Sequence, residues 1–184
     1  LIVQAGDETP AIEAAQAANV PILRLIPDEN GPVGSFSLLA ESATEFASPA
    51  SGGFAAPADI ALVLHTSGTT SRPKIVPLSH ENVTASASNI GATLALTPED
   101  RCLNIMPLFH IHGLIAAVLS SVAAGGSVWC APGFNALRAF AWMEESKPTW
   151  YTAVPTMHQA ILGRAPRNEE IVKNAGLRFI RSSS

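Results

Sequence analysis

The chain predicts an α/β fold of mostly parallel sheets with helices on both faces. Three observations carry that reading. Short apolar runs alternate with helix-length segments over residues 1–26, and they do so again from Asp59 onward. That alternation is the pattern of βαβ units, whose crossover helices cover both faces of a parallel sheet. Composition agrees: 47% of the 184 residues are hydrophobic and 14% charged, which suits a buried core and excludes a disordered chain.

The elements follow in order. Leu1–Gln4 reads as a strand. Thr9 to Asn19 is Ala-rich with Pro10 in its first turn, so a helix is expected there. Val20–Ile26 is a second strand, interrupted by Pro21. Residues 27–58 gather Pro, Gly and Ser and read as a connection, with one helical turn at Ser42–Ala47. Ile60–His65 is a strand, a polar loop follows, and Lys74–Leu78 is another strand. Ser79 is placed to cap a helix that reaches about Leu96 and ends at Thr97-Pro98-Glu99-Asp100. Cys102–Met106, Ser127–Ala131, Thr149–Val154 and Leu177–Arg181 read as strands. Helices are expected between them at His112–Ala124, Phe134–Ser146, Pro155–Gly163 and Glu169–Asn174. Residues 1–58 are thus expected to be part of a first α/β subdomain with its connection, and 59–184 a second α/β subdomain. Ligands of such sheets bind at the carboxyl ends of the strands.

The loop after Ile60–His65 is the most informative stretch. Thr66, Ser67, Gly68, Thr69, Thr70, Ser71, Arg72, Pro73 and Lys74 place hydroxyls, one glycine and two cations in nine positions. Backbone N–H groups, side-chain O–H groups and an ammonium together suit a small, highly charged anion such as a polyphosphate. A Walker A loop is excluded, because it needs Gly before its Lys and Ser or Thr after it. Here Pro73 precedes Lys74 and Ile75 follows. A polar surface turn is the alternative reading, and for Arg72 solvent contact stands beside phosphate contact.

Read whole, residues 65–83 (HTSGTTSRPKIVPLSHENV) resemble the signature loop of the adenylate-forming superfamily of acyl-CoA synthetases, luciferases and peptide-synthetase adenylation domains. Met106-Pro107-Leu108-Phe109-His110-Ile111-His112-Gly113-Leu114 is similar to that family's next motif, and residues 178–184 to the start of its acyl-pocket strand and loop. Ser71 and Ile75 depart from the commonest loop, which has glycine at both places and is therefore less stiff. Ser71 with Arg72 resembles the oxalate–CoA ligase branch. The resemblance implies part of the large N-terminal domain of an AMP-forming acid–CoA ligase, with 59–184 as its nucleotide-binding subdomain. ATP, Mg²⁺ and CoA are its implied cofactors, and the chain is expected to be a piece of a longer enzyme, inactive alone. The implied phosphate contacts are Thr66, Ser67, Gly68, Thr69, Thr70, Ser71, Arg72 and Lys74. Lys74 and His110 are the implied catalytic residues.

His110 and His112 have the spacing of a metal pair on an extended strand, where i and i+2 face the same way. No third ligand with matching spacing accompanies them, so no metal site is expected. By resemblance, His110 lies beside the acyl carboxylate and nucleotide. His112 falls where relatives often carry an aromatic residue. Ser182, Ser183 and Ser184 fall in the acyl pocket, where three hydroxyls favour a small hydrogen-bonding acid, oxalate first. Satisfied core histidines and a Ser-rich tail are the plain alternatives. A 4-coumarate-type or medium-chain acid, or a non-catalytic ATP-binding module, is the competing function. His65, His80 and His158 read as structural, and the three tryptophans as core.

The net charge of −4 argues against non-specific nucleic-acid binding. No run approaches the ~20 apolar residues of a membrane-spanning helix. Cys102 and Cys130 read as buried thiols, so a reducing compartment is expected, cytoplasmic or, in a eukaryote, peroxisomal. Exposed strand edges make self-association an expectation as well.

Overall fold

A computed structural model describes residues 1–32, 34–41, 52–66 and 74–183, with the backbone alone at Thr66. The chain divides into two compact units, Leu1–Gly53 and Phe54–Ser184. Residues 54–58, read above as the end of the connection, go with the second unit through hydrogen bonds. The Ala56 N–H donates to the Asp59 carboxylate, while the Pro57 and Asp59 carbonyls accept from the Glu81 and His80 N–H groups.

The first unit holds β1 (Ile2–Gln4), α1 (Pro10–Ala17), β2 (Leu23–Pro27) and β3 (Phe36–Ala40). Strands β1 and β2 are parallel, and β3 runs antiparallel to β2 from Leu23↔Ala40 to Pro27↔Phe36. Thr9 Oγ1 accepts the Ala11 N–H at 3.3 Å and caps α1, with Pro10 in the first turn. Ile12, Ala15 and Ile22 bury against Val3. The strand β3 corrects the reading of 27–58 as a connection. It is only five residues long, with Ser37 among its apolar residues, and the Pro and Gly on its N-terminal side hid it. The helical turn expected at Ser42–Ala47 lies outside the described residues.

The second unit opens with an antiparallel hairpin, β4 (Ile60–Thr66) and β5 (Lys74–Ser79), in which Thr66 and Lys74 are register partners. Ser79 then caps α2 (His80–Thr93). Its Oγ accepts the Asn82 N–H at 3.2 Å, and Asn82 Oδ1 accepts the Ser79 N–H at 3.1 Å, a reciprocal capping box. The order continues β6 (Arg101–Asn104), a π-helical segment (His112–Leu119) running into α3 (Ser120–Ala123), and β7 (Ser127–Cys130). It ends with α4 (Ala139–Ser146), β8 (Trp150–Ala153), α5 (Pro155–Leu162), α6 (Glu169–Asn174) and β9 (Phe179–Ser182).

The last four strands form one parallel sheet in the order β7-β6-β8-β9. Side chains alternate across it. Cys102 and Trp150 face Ala117 of the π-helical segment, while Leu103, Ile105, Tyr151 and Ala153 face Phe140, Trp142 and Met143 of α4 and Ile161 of α5. Helices therefore cover both faces, as expected. At the amino ends of the strands a clasp closes the unit. Asp100 accepts from Thr149 Oγ1 at 2.7 Å, from the Thr97 N–H at 2.9 Å, and from Arg178 Nε and Nη2 at 3.1 and 2.7 Å. The same guanidinium donates to the Ala95 carbonyl just past α2 at 3.1 Å. Cys102 is buried, whereas Cys130, expected to be buried too, is exposed at the end of the edge strand β7. No described helix is long and apolar enough to cross a membrane.

Candidate functional site

The chain leaves β6 for β7 on one side and then crosses to β8 on the other, so the order of strands reverses between β6 and β8. A crevice at the carboxyl ends is the usual consequence of such a reversal. A cavity of about 180 Å³ is present beyond those ends, where the segment after β6 and the end of β9 meet α2. His110, His112, Arg181 and Ser183 line it with polar groups, and Ile90 and Ile115 are among its apolar lining.

Each polar side chain is placed by its element. Asn104, the buried last residue of β6, bonds the Met106 backbone through both ends of its amide, at 3.2 Å each. Pro107 to His110 then form a turn, closed by the His110 N–H on the Pro107 carbonyl at 3.3 Å. The two histidines are therefore not on an extended strand, which corrects the geometry read from their spacing. Gly113 follows at the start of the π-helical segment, which replaces the first part of the α-helix expected over His112–Ala124, only Ser120–Ala123 being α-helical. A side chain on Gly113 would strike the Pro107 carbonyl and come within 3.0 Å of the Met106 carbonyl oxygen. Glycine lets the helix seat directly on the turn, and π turns of this kind recur at functional sites.

The hydrogen bonds fix the ring protons. The His112 N–H donates to His110 Nδ1 at 3.2 Å, so neutral His110 carries its proton on Nε2. His112 Nε2 lies 2.6 Å from Thr152 Oγ1 on β8, and Arg181 Nη1 donates to the same oxygen at 3.2 Å. Thr152 is fully buried, and among the described residues His112 Nε2 is the acceptor within reach of its hydroxyl proton. Thr152 therefore donates to Nε2, which leaves the His112 proton on Nδ1. Burial first, then the charge of Arg181 and the neighbouring His110 and His158, lower the pKa of His112 below its ordinary value and keep it neutral near pH 7.

On the last strand, Arg181 pairs in register with Thr152, and Ser182 with Ala153. Alternation puts Arg181 and Ser183 on one face, at the cavity, and turns Ser182 to the opposite, exposed side. His158 on α5 holds this end of β9. Its Nε2–H donates to the Arg181 carbonyl at 3.0 Å, and its Nδ1 accepts from the Tyr151 hydroxyl at 3.3 Å. Burial lowers the pKa of Arg181 from its ordinary value. Sequence reasoning missed Arg181 and Thr152. The signal for Arg181 was its spacing of two from Ser183, whereas Thr152 sits in an apolar run with nothing to mark it.

Of the proposed phosphate contacts, Thr66 and Lys74 close the hairpin ends as backbone partners. Ser67, Gly68, Thr69, Thr70, Ser71 and Arg72 lie outside the described residues, as does Ser184.

The family model for AMP-binding enzymes matches residues 1–183. An oxalate–CoA ligase of Arabidopsis thaliana is 50% identical over 130 residues, covering 70% of this chain and 25% of that enzyme. A sulfoacetate–CoA ligase of Cupriavidus necator is 38% identical over 172 residues, covering 90% of this chain and 30% of the relative. A malonyl-CoA ligase solved with methylmalonyl-CoA and AMP superposes with a TM-score of 0.71 at 28% identity, over 98% of this chain and 35% of that one. The chain thus spans about a quarter to a third of the proteins it matches.

Proposed function

The chain belongs to the AMP-binding enzyme family, and on that premise we propose that it is the nucleotide- and acid-binding part of an AMP-forming acid–CoA ligase whose acid is a small dianion, oxalate first. In the first half-reaction a carboxylate oxygen attacks the α-phosphate of ATP, forming the acyl-adenylate and releasing pyrophosphate. In the second, the CoA thiol attacks the acyl carbon and AMP leaves. The protein's share is to orient the triphosphate and to meet the charge that builds on the leaving group.

The loop from Thr66 through Ser67, Gly68, Thr69, Thr70, Ser71 and Arg72 to Lys74 is the proposed grip on the β- and γ-phosphates and their Mg²⁺. It springs from directly paired strand ends, which limits how far Lys74 can stray. His110, with its proton on Nε2, is suited to donate to an acid or acyl-phosphate oxygen, and His112 and Ser183 to contact the acid. The observation that carries the reading is the small cavity holding both histidines, Ser183 and a guanidinium. The relatives' acids agree in kind, since oxalate and sulfoacetate each carry a second anionic group beside a carboxylate. The isoleucines that also line the cavity favour the second reading, a 4-coumarate-type or medium-chain acid.

Acid-dependent ATP–pyrophosphate exchange by the full-length enzyme tests this. Exchange with oxalate, malonate or sulfoacetate and none with hexanoate or 4-coumarate is the expected result. The reverse pattern keeps the ligase and overturns the dianion.

A further inference from the structure

We propose that Arg181 reads the second anionic group of the acid, its guanidinium held by Thr152 on one side and open to the cavity on the other. The inference rests on the dianion reading above and names the residue that enforces it. Three observations support it. Arg181 is half-buried at the cavity wall, yet its only side-chain hydrogen bond among the described residues is Nη1 to Thr152 Oγ1. That leaves most of its five N–H donors unused.

No described carboxylate pairs with it, whereas the likewise half-buried Arg24 is tied to Glu41 and the more exposed Arg178 to Asp100. A guanidinium withdrawn from water without a counter-charge is costly, and an anion in the cavity offsets that cost. Finally, the group is positioned in advance: β8 pairs with it in register, and His158 fixes its carbonyl. Planar donors set this way match a carboxylate or sulfonate in two-point contact, which a lysine does not reproduce.

The test compares oxalate with oxamate, which replaces one carboxylate by a neutral amide of similar shape. The full-length wild type and its Arg181→Met and Arg181→Lys variants are assayed by pyrophosphate exchange, with KM for ATP measured in parallel. The wild type is expected to prefer oxalate. Arg181→Met should lower kcat/KM for oxalate roughly 100-fold, leave oxamate and the KM for ATP nearly unchanged, and so erase the preference. Arg181→Lys keeps the charge, guards against misfolding of the methionine variant, and should retain part of the preference. An oxalate-to-oxamate ratio that survives in both variants overturns the role of Arg181 while leaving the dianion reading intact. A uniform rise in KM for ATP with every acid overturns it too, by making Arg181 a phosphate contact. A wild type that uses no dianionic acid overturns both, and that failure is visible before any variant is made.

Discussion

The Thr152 hydroxyl donates to His112 Nε2 across 2.6 Å, joining the interior of β8 to the first residue of the π-helical segment. One buried oxygen thereby sets both the tautomer of His112 and the anchor of Arg181. Replacing Thr152 by Val removes the donor and leaves His112 Nε2 buried without a partner. The expected cost is about 1–3 kcal/mol of stability, read as a lower denaturant midpoint of the full chain. Thr152→Ser restores the hydroxyl and should recover most of the loss. A valine variant as stable as wild type would show that the bond contributes nothing net.

The clasp at the other end of the sheet predicts a pH dependence. Burial acts on Asp100 to raise its pKa, but the hydrogen bonds from Thr149 and Thr97 and the ion pair with Arg178 outweigh it, and the net shift is downward. The folded value therefore lies below the unfolded one, near 3.8. The stabilisation is fully present above that unfolded value and is lost as pH falls through the folded value. Arg178 is 42% exposed, so solvent screens the pair, and Asp100→Asn is expected to cost about 2 kcal/mol near neutral pH. Unfolding midpoints of wild type and variant should converge as pH falls below the unfolded value near 3.8 and on through the lower folded one. A gap that stays constant as the solution is acidified would remove Asp100 as the titrating group.

Gly113 is expected to be intolerant for a steric reason. A Cβ there meets the Pro107 and Met106 carbonyls, which are backbone and have little room to give. Gly113→Ala should push the helix start away from the turn that carries His110, costing roughly 1–3 kcal/mol and depressing acid activation. Gly176→Ala has open space around its Cβ and serves as the control. Equal behaviour of the two variants would refute the steric account.

These residues also show what was legible in the sequence. The parallel sheet was, because Cys102–Met106 and Thr149–Val154 are short apolar runs of the kind that a sheet buried on both faces requires. The cap at Ser79 was, since serine is a favoured N-cap, whereas its reciprocal partner Asn82 is not the Glu or Gln that marks a capping box in sequence. The π-helical start was not: its apolar residues fit an α-helical spacing equally well, and the close approach of Gly113 to Pro107 is a tertiary fact. His110, His112 and Ser183 were singled out by the motifs they resemble, and the structure brings them to one cavity. Arg181 passed as the end of a strand, because its role depends on what lies opposite it on β8.

Lys74 offers the most direct test of the loop. Its backbone is fixed opposite Thr66, and its side chain is exposed, so removing the side chain should leave the unfolding midpoint unchanged. The chemistry should suffer instead. A preorganised donor facing charge that develops in the transition state is worth about 2–4 kcal/mol, so Lys74→Ala should slow pyrophosphate exchange by roughly 30- to 1000-fold. Measuring kcat and KM for ATP separately tells the two contributions apart. A fall in kcat assigns the ammonium to the leaving pyrophosphate, because that charge appears only as the bond to the α-phosphate breaks. A rise in KM alone assigns it to ground-state binding of the triphosphate. Wild-type values for both would mean that the loop does not use this lysine, and its polar residues would then read as a surface turn.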